Sequence, residues 1–268
     1  MKWSGLNHAA GCYMGPGLDV DDYLHELVTI VDQLSSWKLE WIPDAKHPRA
    51  IPMLTRGNPA SGGGIYISAG IHGDEPAGPL SILPFLTHSA SIPDIPLVVF
   101  PIINPSGFRL GTRENDRQSD MNREFRNPVS DEIRAIMEII TPAKIGPLKS
   151  AIFLHEDWEA RGFYLYELRK VPGCDGHGRN LLNHLSEDPK YSWVPIDQSP
   201  EIDGREARDG LIETILEDHL DRPDWPEAFY FNSALTDITY TLESPSDLDL
   251  QSRVSILSRA LEFLLSQY

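Results

Sequence analysis

The segment Ala69-Gly-Ile-His-Gly-Asp-Glu-Pro-Ala-Gly78 follows the apolar run Ile65-Tyr66-Ile67 and places His72 three residues before Glu75. At the end of a strand, such a pair offers an imidazole nitrogen and a carboxylate oxygen across one turn. A lone His-x-x-Glu arises often by chance, and a turn histidine beside a helix-start glutamate is the plainer account of it. A zinc ion that does chemistry takes three protein donors, commonly two His and one Glu, and keeps one position open for water. The third donor must come from a distant strand. His155, at the end of the run Ala151 to Leu154, is placed to supply it.

The other histidines compete poorly. His25 falls on a polar helix face, His47 in a turn, and His88, His184 and His219 near helix ends. His177 sits in the glycine-rich loop GCDGHGRN beside Cys174, where a flexible surface loop is the simpler reading. The segment HEDWE at 155–159 lacks the second histidine of an HExxH zinc motif.

A base is also in view. Along Asp237-Ile-Thr-Tyr-Thr-Leu-Glu243, residues Ile238, Tyr240 and Leu242 share one face, while Thr239, Thr241 and Glu243 share the other. Glu243 thus leaves the strand end on a polar face, where a carboxylate can take the proton of a zinc-activated water of pKa about 7. A solvent-facing strand-end glutamate is the ordinary alternative. Residues 109–126 hold five arginines and four acids, which alone describe a solvated loop. Within them, Asn122 and Arg123 offer an amide beside a planar guanidinium, a pair that can grip a carboxylate. Arg113 is instead suited to an oxyanion developing on a scissile carbonyl.

These groups need a scaffold. Apolar spacing predicts helices over 19–35, 76–86, 130–140, 180–186, 211–220 and 251–266. Pro84 should end or kink the second, and Ser130 is the expected N-cap of the third. Strands are expected at 37–42, 50–54, 65–71, 97–103, 151–155, 164–168 and 237–243. This alternation is that of an α/β layer structure with a largely buried sheet. Active sites in open α/β sheets lie beyond the carboxyl ends of the strands. The strand ends at His72, Asn104, His155 and Glu243 all deliver polar or charged groups to that one edge.

Composition narrows the classes. The 268 residues read as a single domain, with residues 1–18 a poorly patterned lead-in. Two cysteines, Cys12 and Cys174, make no disulfide framework and favour a reducing, cytoplasmic setting. No signal peptide and no apolar run long enough for a bilayer are read. A net charge of −17 argues against nucleic acid as the main partner. Oligomeric state is not legible.

The set HGDE, INPSGF, GTREN…DMNREF, LHED and YTLES resembles the carboxypeptidase A-type zinc metallopeptidases. It is closest in texture to their compact bacterial and cytosolic branch, which includes murein-peptide amidases. The motifs fall in the family's order from about residue 50 onward. The resemblance implies a mixed, mostly parallel central sheet flanked by helices, of the phosphorylase/hydrolase-like kind. It implies one zinc ion per chain on His72, Glu75 and His155, with Glu243 as catalytic base and Arg113 polarising the carbonyl. It further implies that Asn122 and Arg123 hold the terminal carboxylate of a peptide, murein-type peptides included, whose last residue is released. Many members carry a mobile tyrosine that covers the substrate, and Tyr230 is the candidate for it. Met121 stands where the family often has leucine, a volume-conserving exchange.

A cousin group, the succinylglutamate desuccinylases and aspartoacylases, shares the HxxE, Asn-Arg, His and Glu elements and cleaves small N-acyl amino acids. Those enzymes usually continue into a β-rich domain, whereas here 25 residues with a helical pattern follow Glu243, which favours the peptidase side. The pocket for the terminal side chain is expected between about Pro200 and Ile238. Trp225, Phe229 and Phe231 offer apolar surface there, and Asp203, Glu206 and Asp209 offer charge for a basic or diaminopimelate-like group.

Overall fold

Strands and helices alternate along the chain much as its apolar periodicity predicts. A computed structural model describes residues 18–42, 50–88, 92–187 and 193–268. The lead-in at 1–17 with Cys12, and the turn that contains His47, lie outside the described residues. The strands are β1 Trp37–Ile42, β2 Ile51–Arg56, β3 Gly64–Ala69, β4 Leu97–Phe100, β5 Leu148–Asp157, β6 Tyr164–Arg169, β7 Glu201–Ile202, β8 Arg205–Glu206, β9 Leu211–Ile215 and β10 Ile238–Pro245. The helices are α1 Val20–Val31, α2 Ala77–Thr87, α3 Pro105–Leu110, α4 Asp131–Ile139, α5 Pro142–Ile145, α6 Gly178–Glu187, α7 Glu227–Ala234 and α8 Leu250–Leu265.

Eight strands form one sheet in the order β1-β2-β4-β3-β5-β10-β6-β9, and β7 and β8 form a separate hairpin. The four central strands, β4, β3, β5 and β10, run parallel. Antiparallel pairings of β1 with β2, β2 with β4 and β10 with β6 flank them. The sheet is therefore mixed, with a parallel centre and helices on both faces.

Alternation along each strand sorts side chains into two layers. Ile65, Ile67, Ile152, Leu154, Tyr240 and Leu242 face a core closed by α1, α2, α6 and α8. Tyr66, Val98, Phe100 and Phe153 face the other core, with Ile133, Ile136 and Phe231 of α4 and α7. His155 and Glu243 share the parity of this second face. They stand side by side at the strand ends, because Glu243 pairs with His155 in the β10–β5 ladder.

Three local expectations change, and α7, which packs beside the site, is not foreseen. Leu211 to Leu220 is not a helix: β9 is followed by a 3₁₀ turn, Leu216–His219. The β-branched residues Ile212, Thr214 and Ile215 suit a strand, and pairing beside β6 overrides the helical spacing. The helix α7 has no sequence forecast, because Phe229 and Phe231 are both buried and leave no polar stripe to mark it. Pro84 lies inside α2, which runs on to Thr87; the lost N–H bond is tolerated so near the end, and His88 N–H closes the last turn on the Pro84 carbonyl. Ser130 takes the N-cap position of α4 without capping it, because its hydroxyl donates to Glu124 Oε1 at 2.8 Å instead.

Candidate active site

The loop after β3 is held in place before any metal enters. Gly73 packs against backbone at the start of α3: a Cβ there would lie 2.1 Å from the Gly107 carbonyl carbon, so no side chain fits. Its N–H reaches the Arg113 carbonyl at 3.3 Å. The Asn104 side chain ties the two loops together, with Nδ2 donating to the carbonyls of Ile71 at 3.2 Å and Arg113 at 3.3 Å. Glu75 N–H closes the turn on the His72 carbonyl, which brings both side chains to one side.

There they meet His155. His72 Nδ1 is 2.6 Å from one Glu75 oxygen, and His155 Nδ1 is 2.9 Å from the other. All three residues are buried, and their donor atoms lie within 4.8 Å of one another. Two imidazole nitrogens and a carboxylate oxygen form the donor set that a catalytic zinc takes, so the residues fit the ion. Burial alone would raise the Glu75 pKa, yet His72 and His155 hold it well below the carboxylate range. Burial keeps His155 below its ordinary value, while for His72 burial is outweighed by Glu75 and Asp120 together, which raise it.

Behind the trio stand further carboxylates that composition could not single out. Asp120 Oδ1 faces His72 Nε2 at 3.5 Å, and Asp120 Oδ2 accepts from Arg113 Nε at 3.0 Å. Such outer contacts fix the orientation of a ligating imidazole. Against the effect of burial, Asp120 and Glu75 raise the Arg113 pKa, and its Nη1 lies 3.7 Å from Glu75. Glu156 is buried beside His155 and pairs with Arg253 of α8, while its Oε1 accepts from the first N–H of α2. Burial pushes its pKa up to about 7 against the pull of Arg253.

One cavity of about 530 Å³ joins these groups. His72, Glu75, His155, Arg113, Asn122, Arg123 and Glu243 all line it. Burial first, then Glu75, Asp157 and Asp203, raise the Glu243 pKa well above the carboxylate range; Arg113 opposes them. The Glu243 carboxyl, the Arg113 guanidinium and the Asn122–Arg123 pair thus share one cavity with a metal-type donor set. That combination suits hydrolysis of an amide next to a carboxylate.

Residues 61–169 match the model of the succinylglutamate desuccinylase/aspartoacylase catalytic domain. In three dimensions, the chain is similar to a protein of Shewanella denitrificans OS217 provisionally called a metallopeptidase. That likeness has 24% identity and a TM-score of 0.76, covering 93% of this chain and 90% of that one. A metallo-carboxypeptidase from Burkholderia cenocepacia is similar at 16% identity and a TM-score of 0.61, over 92% of this chain and 68% of that chain. Bovine thrombin-activatable fibrinolysis inhibitor is similar at 10% identity and a TM-score of 0.62, over 94% and 97% of the two chains. No curated protein matches the chain by sequence.

The chain shares the fold of these metallopeptidase-type structures, and its residues 61–169 match the desuccinylase/aspartoacylase catalytic domain.

Within this carboxypeptidase-like frame, Tyr230 is the site candidate that the structure keeps away from the rest. It is not among the residues lining the cavity and packs against Phe125 and Phe231 instead. A one-residue turn along α7 explains this, since Phe229 and Tyr230 point about 100° apart and Phe229 faces the cavity. Tyr164 and Tyr166 of β6 line the cavity, donating to Asp157 at 2.9 Å and to Asp203 at 2.7 Å. Of the six residues expected around the side-chain pocket, Phe229 and Asp203 line the cavity; Trp225, Phe231, Glu206 and Asp209 do not. His219, read as a helix-end residue, lines it as well. The β-branched run before it was the signal that this segment is a strand leading into the site.

Proposed function

We propose that the protein is a zinc-dependent hydrolase that removes the C-terminal residue of a peptide. The observation that carries this reading is the single cavity shared by His72, Glu75 and His155 with Glu243, Arg113, Asn122 and Arg123. When bound to the trio, zinc would supply Lewis acidity and an acidic water. Glu243 accepts a proton on its carboxylate and returns it to the departing amine. Arg113, braced by Asp120, presents its guanidinium to the carbonyl oxygen as charge grows there. Asn122 and Arg123 hold the terminal carboxylate and so set which bond lies beside the metal.

The match over residues 61–169 supports a second reading, hydrolysis of a small N-acyl amino acid. Both readings use the same hydrolase chemistry and the same carboxylate grip. The metal requirement and the grip are tested together by following amino-acid release from a free-acid tripeptide and its C-terminal amide, with and without a chelator. Release from the free acid that chelation stops and zinc restores supports the proposal. Equal use of the amide, or indifference to chelation, contradicts it. A lost charged hydrogen bond costs roughly 1.5–3 kcal/mol, so Arg123→Ala should lower use of the free acid about 10- to 150-fold.

A further inference from the structure

One end of the cavity is cationic, although the chain as a whole carries a net charge of −17. Register places that end. Glu243 pairs with Tyr164, and four residues back along β10, Thr239 pairs with Leu168, which in turn pairs with Thr214 of β9. Thr214 therefore marks the end of the cavity away from the metal-type trio. His219 stands over it with Nε2 2.5 Å from Thr214 Oγ1, and its ring stacks on Phe229 at 4.8 Å.

Arg205, from the β7–β8 hairpin, reaches the same spot. Its Nη1 lies 3.4 Å from His219 Nε2, and burial first, then Arg205, lowers the His219 pKa. Among the described residues, no carboxylate lies within ion-pair distance of Arg205. Arg222 sits over the Phe229 ring at 5.7 Å and shares one acid, Asp224, with Arg123, at 3.4 Å and 3.5 Å. One carboxylate between two guanidinium groups leaves a surplus positive charge. All of these cations line the cavity, and Arg123 adjoins them. Leu168, Ala228 and Phe229 supply apolar wall beside them for methylene groups.

The geometry points to a subsite for a carboxylate-bearing side chain at Arg205, His219 and Arg222, so that the residue released is aspartate- or glutamate-like. This rests on the reading in which Arg123 holds the neighbouring α-carboxylate. The charge arrangement disfavours a lysine- or diaminopimelate-like end. Asp203, the acid expected to receive such a group, already accepts from Tyr166 and lies toward Glu243.

Two measurements on the zinc-loaded full chain test it. In the first, kcat/KM is compared for tripeptides that differ only in a terminal Glu, Gln, Lys or Leu. Glu should exceed Gln by roughly 10- to 150-fold, the range of one charge-assisted hydrogen bond, and Arg205→Gln should collapse that ratio by about tenfold or more. In the second, calorimetry measures binding of free L-glutamate, L-glutamine and L-lysine, which needs no turnover. Glutamate should bind more tightly than the other two, and Arg205→Gln should remove the difference. If glutamine or lysine binds as well as glutamate, or if Arg205→Gln keeps the discrimination, the subsite assignment is overturned. Discrimination for glutamate without cleavage of any peptide would uphold the subsite and sink the peptidase reading instead.

Discussion

The backbone N–H of Glu227 donates to Oδ1 of Asn122 at 2.9 Å. The amide of Asn122 is thereby fixed by the first residue of α7, with its oxygen occupied. Its Nδ2 has no hydrogen-bond partner among the described residues and belongs to a side chain that lines the cavity. A donor presented this way, beside Arg123, suits an anion and not a cation. The helix α7 thus does more than pack: it fixes which end of the Asn122 amide is left free toward the cavity. Asn122→Asp would place a carboxylate there, and KM for free-acid peptides should rise by tenfold or more, the scale of one lost charged hydrogen bond. An unchanged KM would remove Asn122 from the grip.

The metal assignment rests on three donors, and two make a poor site. Purified protein should hold about one zinc-class ion per chain, and His155→Ala should lose most of it. Elemental analysis measures this, and cobalt put in place of spectroscopically silent d10 zinc gives an independent reading through its d–d bands. Full occupancy in the variant would show that another residue supplies the third donor.

Glu243 separates from the metal donors in its effect. Glu243→Gln keeps the shape and removes the acceptor, so zinc content should persist while turnover falls by about 10²- to 10⁴-fold. Retention of both would reduce Glu243 to a strand-end residue.

Much of this site was legible because it lies at strand ends. His72, His155 and Glu243 each follow a run whose alternation or apolar continuity marks where the strand stops and which face is polar. The parallel centre of the sheet then brings those ends together. What stayed hidden depends on pairing between distant segments. Nothing local tells that Asp120, Glu156 and Glu227 are the acids drawn to the site among 40 in the chain. Tyr230 and Phe229 differ by a single step on a helix that has no polar stripe, so which one faces the cavity follows only from the packing of α7. His219 was concealed by a strand whose apolar spacing imitates a helix.

Glu227 itself has a measurable consequence. Its carboxylate accepts from Tyr66 at 2.6 Å and Ser68 at 2.7 Å, and burial pushes its pKa up to about 7 from the ordinary 4.5. The folded protein holds that proton more tightly than the unfolded chain does. Stability from this group is therefore fully present below the ordinary carboxylate pKa and is lost as pH rises through about 7. Glu227→Gln mimics the protonated form, so in chelator-treated protein the variant should gain on the wild type between pH 5 and pH 8. The gain is on the order of 3 kcal/mol. Thermal unfolding at the two pH values reads it, and parallel behaviour of the two proteins would show that Glu227 is charged throughout.

The most direct test of the central claim compares initial rates on four compounds with one zinc-loaded preparation. They are a tripeptide with a terminal glutamate, a γ-D-glutamyl-diaminopimelate peptide, N-acetylaspartate and N-succinylglutamate. A carboxypeptidase must leave room for a chain on the acyl side of the scissile bond, whereas a deacylase closes around a small acyl group. The account predicts that a peptide is cleaved with the highest kcat/KM and that its C-terminal residue is the product. Turnover confined to N-acetylaspartate and N-succinylglutamate would contradict it.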